Sequence, residues 1–295
     1  MIELALFLGT IIGIYAIMAL ALNLQYGFSG LLNFGLVAFF AIGAYASAIL
    51  SVNGVPILIS IILAVLVSTL AGALIAIPTM KLSVHYWAIV TISIAELVRV
   101  IIQNEEWATG GTFGLGDIPQ PLVTLIPQGW YSTFFFLLTL VILLACYLIC
   151  RTLVNSPYGR VLKVIREDEE YAESLGKDVP SFKLRTMAVG AALTGLAGAL
   201  YAHFTTYLNP AAFEPIVTFI IWAAVIMGGK GNLKGGILGA VIIVLLYNST
   251  RFVGDYIDLS AATIASIRLA LIGLLITAIV LVRPNGIMPE RKKVF

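Results

Sequence analysis

Charge is what this sequence has least of. Only 11% of its 295 residues are Asp, Glu, Lys or Arg, while 60% are hydrophobic and the mean hydropathy is +1.04; soluble domains carry about 25% charged residues. A soluble enzyme is thereby excluded. Neither sign of charge is in excess, since 17 Lys and Arg against 15 Asp and Glu leave +2, so there is no basic field to hold nucleic acid. The two cysteines, Cys146 and Cys150, share one apolar run and form no disulfide or metal pattern. His85 and His203 are far apart, and neither sits in an HExxH or Cys/His cluster, so no metal site is expected. A phosphate loop is missing too, because the GGKG at 228–231 lacks both the leading spacing and the hydroxyl after its lysine. The chain is therefore expected to be no enzyme, to have no catalytic residues and to need no cofactor.

What is present is apolar length. From Leu4 to Met80 runs a stretch of 77 residues without a charge, more than three times the ~20 residues that a spanning helix needs. Turn formers divide it at Asn23–Gly30, at the SVNGVP of 51–56 and at Pro78. Spans are expected at 4–22, 31–50, 57–77, 84–102, 131–150, 186–204, 216–228, 235–250 and 261–282. The segment 216–228 has only 13 residues and suits a half-helix or re-entrant piece as well as a span. The fold class is thus an all-α polytopic membrane bundle, one domain over 1–295, with eight to ten transmembrane segments and at least one broken or re-entrant helix.

Orientation follows the Lys and Arg of short loops. Residues 151–185 hold seven such bases, and Arg283, Arg291, Lys292 and Lys293 follow the last apolar run. Placing both regions in the cytoplasm, with nine spans, also puts Lys81, Lys230 and Lys234 inside and leaves Arg251 alone outside. The expected topology is N-terminus out and C-terminus in. Trp107, Trp130 and Tyr131 then lie in or beside the long outer loop, where an aromatic belt belongs.

The stretch 151–185 reads as helical. Asn155 and Ser156 are capping residues, Pro157 suits a first turn, and Gly176 followed by Lys177 marks a stop. Val161, Val164, Ile165, Tyr171, Ala172 and Leu175 fall on one stripe, with Asp168 filling the missing position. Two readings compete on this pattern alone: a solvated helix that merely marks the inner face, or a helix whose apolar stripe is covered by a partner.

The segment EYAESLG at 170–176 resembles the cytoplasmic EAA-type signature of ATP-binding-cassette importer permeases, with Glu170, Ala172 and Gly176 matching and Tyr171 replacing the second small residue. VIREDEEYAESLGKDV and the following KLRTMAVGAALTGLAGALYA are similar to the permeases of branched-chain amino-acid importers, of the LivM type. So are NLQYGFSGLLNFGLVAFFAIGAYASAIL at 23–50, HYWAIVTISIAELVRVIIQNEEWATGGTFGL at 85–115, GGKGNLKGGILGA at 228–240 and RPNGIMPE at 283–290. The resemblance implies a multi-pass permease of a prokaryotic plasma (inner) membrane, forming half of a pathway for branched-chain or related hydrophobic amino acids. It implies a second permease subunit, of LivH type or a second copy, and two ATP-binding subunits that use the ATP. It also implies an extracytoplasmic substrate-binding protein. By the same resemblance Arg166, Glu167, Asp168, Glu169, Glu170, Tyr171, Ala172, Leu175 and Gly176 form a coupling helix, with Tyr171, Ala172 and Leu175 in a groove of the ATPase and charges at its rim.

Glycines mark the expected pathway. Gly27, Gly30, Gly35 and Gly43 punctuate the second apolar segment, and Gln25, Ser29 and Asn33 add polar groups beside them, a pattern of broken helices that line a transport site. The competing reading is close helix packing, which suffices for Gly190, Gly195 and Gly198. Glu96 is the one acid placed within a span; it is either a pathway residue or the neutraliser of Arg99, three positions on. The outer segments 105–117 and 209–214 are expected to face the binding protein. Permeases for urea or short-chain amides share these motifs, and a secondary transporter with its own ion site remains the alternative in another class.

Overall fold

A computed structural model of the chain describes residues 2–79, 82, 84–123, 126–254 and, towards the C-terminus, 263, 266–267, 270, 273–274, 277–278, 281–283 and 285–290. Lys81, Arg268, Arg291, Lys292 and Lys293 lie outside the described residues, as do most of the expected last span and the side chains of His85 and Arg251.

Among the described residues the architecture is all helical, with a single isolated bridge and no strand. α1 (Ile2–Leu22) runs into a π-helical turn (Asn23–Phe28), followed by α2 (Leu36–Val52), α3 (Ile57–Thr79), α4 (Val84–Asn104) and the short α5 (Glu106–Thr109). Then come α6 (Tyr131–Asn155), α7 (Pro157–Glu167), α8 (Glu169–Ser174), α9 (Val179–Thr205), α10 (Ile216–Gly228) and α11 (Leu233–Gly254). Five helices among the described residues are long and apolar enough to cross a membrane, and three shorter apolar ones correspond to α2, α10 and the first part of α11.

α9 is the most buried of the long helices and packs against α2 and α3, while α1 packs against α6, α9 and α11. Lipid tails are as apolar as leucine, so helices in a bilayer associate by close approach rather than by the hydrophobic effect. The sequence supplies that approach with glycine: a Cβ on Gly43 of α2 would fall 2.1 Å from the Gly195 carbonyl, and one on Gly198 would fall 2.0 Å from the Phe40 carbonyl. Gly43, expected at a helix break, is therefore a packing residue. Along α3 the outward side chains Leu58, Ile62, Leu66, Leu70 and Leu74 are exposed, which is a stable arrangement only in an apolar solvent.

The bundle has two ends. At one, Leu115 and Leu208 exchange backbone hydrogen bonds of 2.9 and 2.8 Å, which ties together the two segments expected on the outside. At the other lie α7, α8 and the loop 229–232. The chain from Leu208 to Gly231 passes from the first end to the second, bonded at Leu208 before α10 and to Asn23 through Gly231 after it. α10 itself, with 13 residues, is the half-helix within that passage, since a helix of this length at ~1.5 Å per residue falls short of a bilayer core. A re-entrant segment would return to the end it started from.

Candidate functional site

The end that carries α7 and α8 is built around the break after α1. Gly30 there has φ +75, a conformation that glycine adopts without strain, and residues 31–35 are not helical. A broken helix strands backbone donors that lipid cannot satisfy, and side chains take them up: Thr91 Oγ1 accepts from Phe34 N at 3.1 Å, Asn33 Oδ1 from Gly35 N at 2.9 Å and Thr218 Oγ1 from Val37 N at 3.0 Å. Asn33 Nδ2 donates to Gln25 Oε1 at 2.9 Å, and Ser29 donates to the Gln25 carbonyl at 2.5 Å. Gly190 leaves the space that the Gln25 amide fills. Gln25, Ser29 and Asn33 are thus brought together, and in this conformation their polar groups hold the break.

α6 turns into α7 where Gly159 meets the Val154 carbonyl, and Pro157 occupies the first turn of α7 as expected. The single helix expected up to Gly176 is instead two. Asp168 is extended, at φ −157 and ψ 109, and its Oδ1 accepts from Tyr171 N at 2.9 Å, so the residue read as filling a helical stripe is the N-cap of α8. The physical reason is the competition an aspartate offers, since its side chain satisfies a backbone donor outside a helix as well as inside one. The break also divides the stripe. Val161, Val164 and Ile165 pack with Ala172, Val179 and Phe182, whereas Tyr171 and Leu175 turn outward with 56% and 53% of their surface exposed. Gly176, at φ +72, ends the segment.

Arg166, at the end of α7, reaches the break. Its Nη1 donates to the Gly27 carbonyl at 2.6 Å and to Glu290 Oε2 at 2.8 Å, while Nη2 pairs with Glu167 at 2.6 Å. Lys163 binds the other oxygen of Glu290 at 2.6 Å. Asn23 fastens the same turn to the glycine loop: its Oδ1 accepts from Gly231 N at 2.9 Å, and its Nδ2 donates to the Asn232 carbonyl at 2.8 Å. The tail closes the arrangement, with Ile287 N and Met288 N each donating at 2.9 Å to the carbonyls of Met227 and Gly228 at the end of α10. Beside it Glu169 pairs with the buried Lys183 at 2.5 Å. Arg166 and Glu169, expected at the rim of a partner's groove, are therefore bonded within the chain, while Glu167 and Glu170 are exposed.

These contacts set the charge states. Burial pushes the Glu290 carboxyl up, but the hydrogen bonds and attraction of Lys163 and Arg166 outweigh it and hold the group below its ordinary 4.5. Burial likewise works against the charged form of Arg166, and the bonds to Glu167 and Glu290 more than restore it. A carboxyl whose pKa is lower folded than unfolded stabilises the fold fully above the unfolded value and loses that contribution as pH falls through the folded one. The ion cluster should accordingly be insensitive to pH between about 6 and 8. Thermal unfolding measured against pH should show a Glu290-dependent loss only below 4.5, and the variant Glu290→Gln should lack it.

Glu96 stands apart from this site. It pairs with Arg99 on α4, and Arg99 also donates to Gln103 at 3.2 Å. His203 is buried, its Nδ1 2.7 Å from the Pro119 carbonyl and its Nε2 2.8 Å from the Ser47 hydroxyl. Sequence reasoning missed Asn23, Lys163, Lys183 and Glu290 as site residues. For Glu290 a signal exists, because it is the sole acid after Asp258 in a tail that is otherwise basic.

Residues that meet here come from every stretch that carries the family resemblance, and comparison with known proteins bears on the same point. The profile of the family described as branched-chain amino acid transport system / permease component matches residues 4–280. The chain belongs to that permease family. The permease is 32% identical to the high-affinity branched-chain amino acid transport system permease protein LivM of Salmonella typhimurium, over 96% of this chain and 69% of the relative. It is 30% identical to the probable branched-chain amino acid transport permease protein LivM of Methanocaldococcus jannaschii, over 95% and 91%. A more distant likeness, 23% over 95% and 93%, is to the LivH permease of Salmonella typhimurium. No solved structure matches the permease.

Proposed function

We infer that this permease is one transmembrane subunit of an ATP-driven importer for branched-chain or related hydrophobic amino acids, moved by ATP-binding subunits that dock on α8. Supporting this, the relatives are named as branched-chain amino acid transport permeases, and α8 with its C-cap presents Glu170, Tyr171 and Leu175 outward, uncovered among the described residues. The observation that carries the reading is Arg166: one guanidinium joins the helix before α8 to the Gly27 carbonyl of the broken helix and to the tail through Glu290. A force applied at α8 thus reaches the break through bonded atoms and not through a flexible loop, as a two-state coupling device requires.

On this reading the α7–α8 end is cytoplasmic, the loop 151–185 and the C-terminus lie on that side of a prokaryotic plasma membrane, and two ATP-binding subunits dock there. A second permease, of LivH type or a second copy, pairs with this one. The segments joined at Leu115 and Leu208 receive an extracytoplasmic binding protein. Arg166 to Gly176 serve as the coupling segment, and Gln25, Gly27, Ser29, Gly30 and Asn33 border the pathway, opening to it when the break rearranges. Glu96, paired on α4, is left with the weakest claim among the pathway candidates. ATP is consumed by the partners, and this chain supplies no site for it.

The docking assignment has a direct test. Tyr171→Asp or Glu170→Lys alters only exposed side chains, so membrane insertion and thermal stability should stay within about 0.5 kcal/mol. Co-purification of the ATP-binding subunits and stimulated ATP hydrolysis should fall at least tenfold for Tyr171→Asp, which carries a charge into an apolar groove, and by less for Glu170→Lys, which reverses a charge at the rim. Normal assembly and transport by both variants would remove α8 from the interface.

A further inference from the structure

Between α6 and α11 lies a groove of about 330 Å³, a volume in the range of small-ligand pockets. α6 lines it with Leu140, Leu143, Leu144 and Tyr147, and α11 with Lys234 and Ile237. Leu143, Tyr147 and Ile237 are half-buried against the core, while Leu140 and Leu144 stand at the rim with 39% and 57% of their surface exposed. From Tyr147 to Leu140 the apolar channel follows α6 for about 10 Å, at ~1.5 Å per residue. Its polar end lies at the α7–α8 end of the bundle. There Lys234 is exposed in the turn after the loop 229–232, and Arg151, also exposed, continues the face of α6 that carries Leu140, Leu144 and Tyr147. Neither base has a carboxylate within ion-pair distance among the described residues, whereas Lys163, Arg166 and Lys183 at the same end each have one.

We propose that this groove seats one acyl chain of an anionic phospholipid, with the headgroup phosphate between Lys234 and Arg151. The chain lies along α6 from Tyr147 towards Leu140, and the phosphate accepts from the Lys234 ammonium and the Arg151 guanidinium. Charge decides the occupant. A protein partner would cover these bases, and interface cores are poor in lysine; a zwitterionic lipid would bring its own ammonium against them. An anionic headgroup neutralises both. Assignment of the lipid to the inner leaflet rests on the orientation proposed above, whereas the groove itself does not. The position gives the lipid a role. α6 leads into α7 and the Arg166 link, α11 follows the glycine loop held by Asn23, and both pack on α1, whose end is the break. A chain seated between α6 and α11 holds the two arms of that linkage at one spacing, so uptake should rise with the anionic fraction of the membrane.

Labelling of the purified importer complex in nanodiscs with phosphatidylglycerol that carries a photoactivatable acyl chain tests this, the adducts being mapped by mass spectrometry. Adducts are expected within 140–147 and at Ile237, and unlabelled phosphatidylglycerol should compete roughly fivefold better than phosphatidylcholine. Lys234→Gln should lower the labelling roughly threefold to fivefold, and Arg151→Gln added to it should lower it further. Both side chains are exposed, so neutralising them leaves folding intact. Leu144→Trp, which fills the groove without touching the charges, should abolish these adducts while those on the exposed face of α3 persist. Equal competition by the two lipids, or unchanged labelling in the double variant, overturns the seat. So does labelling of α3 without labelling of 140–147, the result expected if a second protein covers the groove. ATP-driven uptake that persists in that case leaves the importer reading in place. Lys230, exposed in the glycine loop, reports the orientation separately: with Cys146 and Cys150 buried, Lys230→Cys should be closed to an impermeant thiol reagent added outside intact cells. The expected adducts together with a Lys230→Cys thiol that reacts from outside would keep the seat and remove its cytoplasmic placement.

Discussion

Arg166→Leu is expected to reduce ATP-driven uptake by the assembled importer at least tenfold while leaving the permease inserted in the membrane. The substitution keeps an apolar side chain, removes the donors to the Gly27 carbonyl, to Glu167 and to Glu290, and leaves Glu290, among the described residues, paired with Lys163. A hydrogen bond to a charged group contributes about 1.5–3 kcal/mol. Both Arg166 and Glu290 retain about a fifth of their surface, at 21% and 18%, so solvent screening places the stability loss nearer 1–3 kcal/mol. That is small enough for the bundle to survive. The functional loss is larger because the same bonds join the segment that partners push to the element that must move. Arg166→Lys keeps the charge and one donor at a time, so it should recover part of the uptake. The measurement is uptake and ATP hydrolysis in the same proteoliposomes: hydrolysis that continues without uptake marks a broken connection. Wild-type uptake in Arg166→Leu would show that force reaches the break by another route.

Gly43→Val and Gly198→Val should each lower the thermal midpoint by roughly 5–10 °C, and the pair together should prevent folding. Here two effects oppose one another. Glycine inside a helix costs about 1 kcal/mol relative to alanine, so on propensity alone either substitution would not destabilise. Packing decides the sign, because a Cβ on Gly43 meets the Gly195 carbonyl at 2.1 Å and one on Gly198 meets the Phe40 carbonyl at 2.0 Å. Those are backbone atoms of the facing helix, which cannot rotate away as a side chain can. Two helices would have to separate, and they do so along one of the two most extensive contacts among the described residues. Gly129, exposed, with nothing within 4 Å and no left-handed φ, is the control for proximity. A destabilisation by Gly129→Val equal to that by Gly43→Val would mean that loss of glycine itself rather than helix contact governs both.

The break at 23–35 was legible because glycine and amide residues crowd an otherwise apolar run, and nothing but a departure from helix gives them a use there. The division at Asp168 was not. A stripe with one polar position looks the same whether the helix continues or caps, and the choice turned on whether the side chain met the Tyr171 N–H. Spacing placed Tyr171 and Leu175 on one stripe, and the family resemblance set Arg166 beside them at the rim of the same partner groove. The structure separates them, turning the arginine in towards Gly27 and the two apolar side chains out.

Composition and charge spacing alone settled that this is a helical membrane protein, since a backbone in lipid satisfies itself only in helices or closed barrels and the apolar runs have helical length. Turn formers and capping residues located some helix ends, as at Leu22 and Tyr131, but not others: α9 begins at Val179 rather than 186, α2 at Leu36 rather than 31, and Pro78 lies inside α3. What tertiary structure alone decided is that Asn23, Gly27, Arg166, Gly231 and Glu290 form one cluster. Those residues are separated by as many as 267 positions, and no local preference reaches so far. Their meeting depends on the number of crossings between them and on glycines that let helices close to backbone distance, a property of the whole bundle rather than of any segment.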